Sequence, residues 1–399
     1  MVRLGPRLRP LFPYLKPAYS VGTRALAPAS IALGRVAGGR VPRGVAATAE
    51  DAVSGGGRMW IVRQPEVITR PAPIGSPERV PVLDQARSDL VARVPLLELP
   101  GGRVMEPHAA VVTADGRLVH ELCSYFGTSS PREHPVFLHP FGPKVRRVDG
   151  AVGVLSSRGD GNYYHFLHDC LPRLFVLEQC PEVEAPDRWL TPVATGFQRQ
   201  LLDLLGVPEH ERIDRATVPH LQAERLVVPG LPSMRVQNPP WVSRELRARL
   251  CPDATRVPGR HIYLTRGSSR NNRAVLNEDA VITRLEARGF TCLDPGAMTV
   301  ADQIRWFSEA DLIVAPHGAA LANLSFTSPG ATVLELFGAY VDGCYWRMAS
   351  GIDGLTYRYL ADQQVAAAGN SWSFLVQDIE VDLDRLARSV DGLLAKDPS

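Results

Sequence analysis

From residue 261 onward the sequence alternates between two periods. Short apolar runs ("HIYLTR", "FTCLD", "DLIVAP", "ATVLELF") are separated by segments with helical spacing, "EDAVITRLEARG" and "VADQIRWFSEA". A run that is apolar at successive positions is buried on both faces, and a helix of this length returns the chain for parallel pairing. The pattern predicts a mostly parallel sheet with helices on both sides. Asn277 and Thr299 stand where N-caps belong.

The first half is less regular. "MWIVRQ", "VPLLELPG" and "HAAVVTADGRLV" read as strands broken by Pro- and Gly-containing turns. "AVGVLSS", the helical stretch from Tyr163 to Gln179, "WLTPVAT", "GFQRQLLDLLGV" and "AERLVVPG" continue the strand-to-helix order. A chain of 399 residues suits two domains. The expected limits are a basic Pro-containing arm at 1–55, an α/β domain at 56–235, a second α/β domain at 236–385 and a tail at 386–399.

A net charge of +2 gives no reason to expect nucleic acid as a partner. Six cysteines, at 123, 170, 180, 251, 292 and 344, form no CxxC pair, which suits a reduced, cytoplasmic setting. The first 49 residues differ from the rest. Arg3, Arg7, Arg9, Lys16, Arg24, Arg35, Arg40 and Arg43 precede the first acid, Glu50. This segment reads either as a loosely ordered arm or as an interfacial segment resting on anionic lipid at the inner face of the cytoplasmic membrane. Prolines at 6, 10, 13, 17 and 28 argue against one long helix. No apolar run reaches the roughly 18 residues that span a bilayer, and a secretory signal needs a longer apolar core.

In an open parallel sheet, ligands bind beyond the carboxyl ends of the strands. Three polar sets share that address: Arg266 with Arg270 and Arg273, then Pro316-His317-Gly318-Ala319-Ala320, then Glu335. Arginines supply permanently charged bidentate donors, a glycine turn lets the backbone approach a phosphate, and a carboxylate accepts from ribose hydroxyls. Such a pocket suits a nucleotide diphosphate. Neither GxGxxG nor GxxxxGK[ST] occurs, so dinucleotide and ATP readings lack their loops.

The stretch "GNYYHFLHDCLPRL" places His165, His168 and Asp169 within one and a half helical turns. It reads as a catalytic base with its orienting partner, a metal site, or a helix that is polar on one side. Two histidines and one aspartate need further convergence to hold a metal, which makes that reading the weaker. Pro172 should bend or break this helix.

Taken together, the histidine stretch, "YLTRGSSRNNRAVLNE", "PHGAALANLSF" and "PGATVLELF" resemble glycosyltransferase family 61, from about residue 150 to 340. The resemblance implies a GT-B architecture, two Rossmann-like domains facing across a cleft, and inverting sugar transfer from a nucleotide sugar, read as UDP-linked, to a glycan hydroxyl. Bacterial members serve surface or capsular polysaccharide synthesis. By similarity, Arg266 and Arg270 or Arg273 lie near the diphosphate. His317, Gly318 and Ala319 form the donor loop, and Asn323 and Glu335 lie on the nucleotide side. Asp169 or His165 is the expected base, the other orienting it, with His168 toward the acceptor and Arg173 and Asn162 as substrate contacts. The arginines and helix amides neutralise the leaving diphosphate, so no metal and no cofactor is expected. A non-catalytic glycan-binding or scaffold protein of the same fold is the competing reading.

Overall fold

A computed structural model describes residues 12–123, 125, 130–232, 236–267, 273–362 and 377–395. The architecture is α/β, and the chain divides into two compact units. The first comprises Tyr14–Glu66 and Val91–Arg235, and the second is made mainly of Val67–Leu90 and Val236–Ser399. These limits correct the expected ones. Residues 67–90 leave the N-terminal half to join the C-terminal unit, and the supposed arm contributes a strand to the first unit's sheet.

That sheet has ten strands. Gly44–Ala46, from the expected arm, pairs in parallel with Arg117–Val119. The antiparallel part includes Arg103–Met105 and Val94–Pro100, both paired to His220–Pro229. The parallel part runs in the order His220–Pro229, Arg146–Val154, Arg188–Thr191, Arg212–Asp214. Val152, Val154, Leu190 and Leu226 meet Leu97, Val104 and Phe137 in its core. The chain leaves Arg146–Val154 toward one side of the sheet and returns on the other, so a switch point lies beside the end of that strand.

Phe12–Val36 forms one helix despite its prolines, which corrects the expectation of a broken segment. Pro13 lies in the first turn, where an amide has no partner inside the helix. Pro28 forgoes only the bond to the carbonyl of Arg24. The helix is held by its buried side: Thr23, Ala27 and Gly34 are buried and Ile31 packs on the sheet's core.

The second unit is the regular one. Its six strands are all parallel, in the order Phe290–Leu293, His261–Leu264, Leu312–Pro316, Thr332–Leu336, Thr356–Leu360, Ile74–Ser76. Leu312, Val314, Leu334 and Leu336 meet Val281, Leu285, Leu386 and Val390 on one face. Buried Ile313, Ala315 and Val333 alternate onto the other. Thr299 caps its helix, its hydroxyl accepting from the Asp302 amide at 3.1 Å. Asn277 occupies the cap position but instead clamps Val381 in both directions, at 2.8 and 3.0 Å.

The expected tail is also corrected, because Leu383–Leu394 is a helix whose Leu386 and Val390 are wholly buried. Asp382 caps it through the amides of Asp384 and Arg385. Leu386→Ala should therefore cost about 2–5 kcal/mol of stability in urea unfolding. A change within about 0.5 kcal/mol, the range of ordinary surface substitutions, would return this segment to the status of a tail.

Candidate functional site

The second unit has its switch point between His261–Leu264 and Leu312–Pro316, whose following loops diverge. Arg266 closes that divergence. Its Nε donates to the Arg273 carbonyl at 2.7 Å and its Nη1 to the His317 carbonyl at 3.0 Å. The Arg266 amide is held by Glu278 Oε1 at 2.6 Å. A Cβ at residue 318 would lie 2.1 Å from Nη1 of Arg266, so a larger residue there would have to displace the guanidinium.

Nη2 of Arg266 is buried and has no hydrogen-bond partner among the described residues. Burial and the neighbouring Arg273 lower the Arg266 pKa to about 10, so it stays charged at neutral pH. Arg273 lies over the ring of Tyr340, 5.1 Å from its centroid. Among the described residues neither arginine forms an ion pair. Two unneutralised guanidiniums beside a glycine turn make a seat for an anion. Ala319, half-buried, opens the 3-10 turn Ala319–Phe326 at the edge of that seat. Arg270 lies outside the described residues.

Below this seat the sequence expectations need correction. Glu335 is wholly buried, with Oε1 2.6 Å from His317 Nδ1 and Oε2 accepting from the Tyr357 hydroxyl. Both oxygens are committed, so it is not placed to meet ribose. The strand alternation turns residue 335 inward, toward Tyr357 on the next strand. Burial drives the Glu335 carboxyl well above its ordinary range and the His317 imidazole well below it. The pair is a buried hydrogen-bonded contact, its imidazole packed against Phe337, Tyr340 and Tyr345. Asn323 is also wholly buried, bonded to Gln303 Oε1 at 2.9 Å and the Ala320 carbonyl at 3.1 Å. It braces the turn from inside.

In the first unit, the loop after Arg146–Val154 leads into an irregular helix. Tyr163–His165 is α-helical, Phe166–Cys170 is a π turn, and Pro172–Glu178 resumes α geometry. Pro172 explains the irregularity. It has no amide to donate and its ring would strike the carbonyl of His168 in a regular helix. The helix widens instead, with the Leu171 amide reaching back five residues to Phe166 at 3.1 Å. His165 Nδ1 lies 2.7 Å from Asp169 Oδ2, and both side chains keep partial access to solvent at 21% and 14%. Asp169 thus engages Nδ1 of His165 and not Nε2. Gly159 lets the imidazole sit against the preceding loop, since a Cβ there would come within 2.7 Å of the ring.

Three neighbours were expected at the substrate and are placed elsewhere. His168 is 1% exposed and stacks on Tyr164 at 5.1 Å, so it does not line a reachable surface. Arg173 is equally buried and donates to the carbonyls of Ser156, Val154 and Leu122 at 3.0, 3.2 and 3.5 Å. It pins the strand end and is not a phosphate clamp. Asn162 caps the helix, accepting from the Tyr164 amide at 2.9 Å.

Sequence reasoning passed over a buried network beneath this loop. Arg215, just beyond its strand, bridges Asp160 Oδ1 at 2.6 Å and Glu106. Asp160 also accepts from the Ser157 amide at 3.1 Å through Oδ2, and its carbonyl accepts from Gln198 at 2.9 Å. Arg158 lies over Tyr125, whose ring packs edge-on against His108 and His134. Burial lowers these two imidazoles to about 4 and 3, so both are neutral. Asp160 lies in the glycine-flanked string "RGDGN", which carries no ligand spacing. Glu106 and Arg215 carry no local pattern at all. Among the described residues no three His, Cys, Asp or Glu side chains converge as a metal site requires.

Residues 163–334 match the family model described as Glycosyltransferase 61. The span is somewhat under half of the chain. It runs from the helix of His165 to the strand of Glu335 and includes Arg266, Arg273 and Gly318. No curated protein matches the chain. The match supports a transferase, with the dyad and the glycine turn both inside the recognised span.

The Asp160 network generates a pH signature. Two buried carboxylates share one guanidinium, and burial, partly offset by Arg215, raises Asp160 to about 7. An acid whose folded pKa exceeds its unfolded value near 3.9 binds its proton more tightly when folded. Its contribution to stability is present below the unfolded pKa and is lost as pH rises through about 7. His108 and His134, depressed by burial, act in the opposite sense, so the test is a difference: across roughly pH 4 to 7 the urea midpoint of wild type should fall relative to that of Asp160→Asn. Parallel profiles in the two proteins would place the proton elsewhere.

Proposed function

We propose that this chain is an inverting glycosyltransferase of GT-B type, moving a sugar from a nucleotide-diphosphate donor, in the first instance a UDP-sugar, to a glycan hydroxyl. The observation that carries the reading is the Glycosyltransferase 61 match, whose span holds both an anion seat and a basic dyad. The two features divide the chemistry. The second unit holds the diphosphate through Arg266, Arg273 and the Gly318-Ala319 backbone, joined by Arg270. The first unit supplies the base.

In the reaction the acceptor oxygen attacks the anomeric carbon from the face opposite the leaving group. The bond from that carbon to the phosphate oxygen breaks, and its electron pair leaves with the nucleotide diphosphate. His165 Nε2 takes the acceptor proton, while Asp169 fixes the imidazole through Nδ1 and stabilises its cationic form. The 2.7 Å contact favours this order of roles over Asp169 as the direct base. The arginines offset the charge that develops on the diphosphate. Surface or capsular polysaccharide is the proposed setting, and the inner face of the cytoplasmic membrane the proposed location.

His165→Gln and Asp169→Asn should lower sugar transfer about 10²- to 10⁴-fold while calorimetric UDP binding is retained. Arg266→Ala and Arg273→Ala should weaken that binding. Near-wild-type transfer in both dyad variants would sink the base assignment, and unaltered UDP and GDP affinity in both arginine variants would sink the donor seat. A glycan-binding scaffold of the same fold would show no transfer from any nucleotide sugar and would be indifferent to the dyad.

Transfer should also proceed without added divalent cation, because fixed guanidiniums take over the neutralising role. EDTA-treated enzyme should keep its rate within a few-fold. Loss on chelation and recovery with Mn2+ or Mg2+ would reject this part of the mechanism.

A further inference from the structure

The helix Phe12–Val36 is apolar on two sides, and the fold uses only one of them. Its inner stripe, Thr23, Ala27, Ile31 and Gly34, follows the spacing of a single face and packs on the first unit. Large apolar side chains nevertheless lie outside that stripe. Val21, Leu26, Leu33 and Val36 are 64%, 59%, 48% and 89% exposed, and Tyr19 is exposed beside them. A helix ordinarily buries each side on which it is apolar. This one is enclosed on one, and no described acid belongs to it.

Charge decides what can cover the outer face. The first 49 residues hold eight cations and no Asp or Glu. Arg24 is engaged with Glu133, and Arg35 donates to the carbonyl of Arg43, but the segment as a whole stays strongly positive. A second copy of the chain would bring two such segments together against their mutual repulsion. An anionic bilayer surface matches both features, since apolar side chains enter the boundary between headgroups and acyl chains while cations meet the headgroups. No helix among the described residues is long and apolar enough to cross a membrane. We infer that Phe12–Val36 lies in the plane of an anionic lipid surface, inserting Leu26 and Leu33 from its outer face. This inference does not depend on the proposed catalysis.

The test is sedimentation of the full chain with phosphatidylcholine vesicles, with and without phosphatidylglycerol. Wild type should pellet with the anionic vesicles, less at high salt, and poorly with phosphatidylcholine alone. Leu26→Glu with Leu33→Glu should reduce partitioning about 10- to 100-fold. Leu276→Glu, at an exposed leucine of the second unit, should not. Thermal melting checks that the double variant is folded, as its exposed positions allow. Equal pelleting of wild type and the double variant overturns the inference, and so does indifference to phosphatidylglycerol. A concentration-dependent dimer that the double variant dissolves, without vesicle binding, would assign the face to a second copy and also overturn it.

Discussion

Parallel strand pairing leaves polar side chains few places to converge. When both faces of a sheet are buried, a charge pointing from mid-strand meets mostly apolar neighbours, and burying it costs several kcal/mol unless it is paired. The chain becomes free of that constraint at the strand ends. At a switch point two successive loops part, and the gap between them cannot be closed by the sheet. Each unit fills such a gap with an arginine. Arg266 ties the two loops of the second unit through main-chain carbonyls. In the first, Arg215 holds Asp160 and Glu106.

These arginines differ in what they leave unsatisfied. Arg215 is matched by carboxylates and is therefore spent on structure. The Arg266 guanidinium meets carbonyls, while its amide meets the Glu278 carboxylate, and Nη2 is buried and unengaged among the described residues, with Arg273 nearby. Beneath it, His317, Glu335 and Tyr357 form a buried hydrogen-bonded set in which burial disfavours the charged form of both the imidazole and the carboxyl.

The dyad has a similar support. Arg173 gathers the carbonyls of Leu122, Val154 and Ser156 beneath the loop, and Asp160 holds its Ser157 amide. Pro172 then forces a π turn between two α-helical pieces, which re-aims the residues in between. His168 goes to the interior and His165 stays at the surface with Asp169. A regular helix would have offered no reason to separate the two histidines.

Local sequence set the strand and helix alternation from residue 261 to 336, its parallel pairing, and the nearness of His165 to Asp169. Periodicity, caps and i,i+4 spacing are local quantities, and local physics sets them. It also marked Arg266, Arg273 and Gly318 as lying at strand ends. Only the tertiary structure decided which polar residues face outward. Glu335, Asn323, Arg173 and His168 look like ligand contacts in a string, yet burial turns each into a brace, since strand alternation and the proline-induced π turn point them inward. The Asp160, Arg215 and Glu106 network could not be read at all, because its members stand up to 109 residues apart. Residues 67–90 gave no sign that they would supply the last strand of the distant sheet. Partners so far apart are chosen by which surfaces the folded sheets leave to be covered, and no local spacing carries that information.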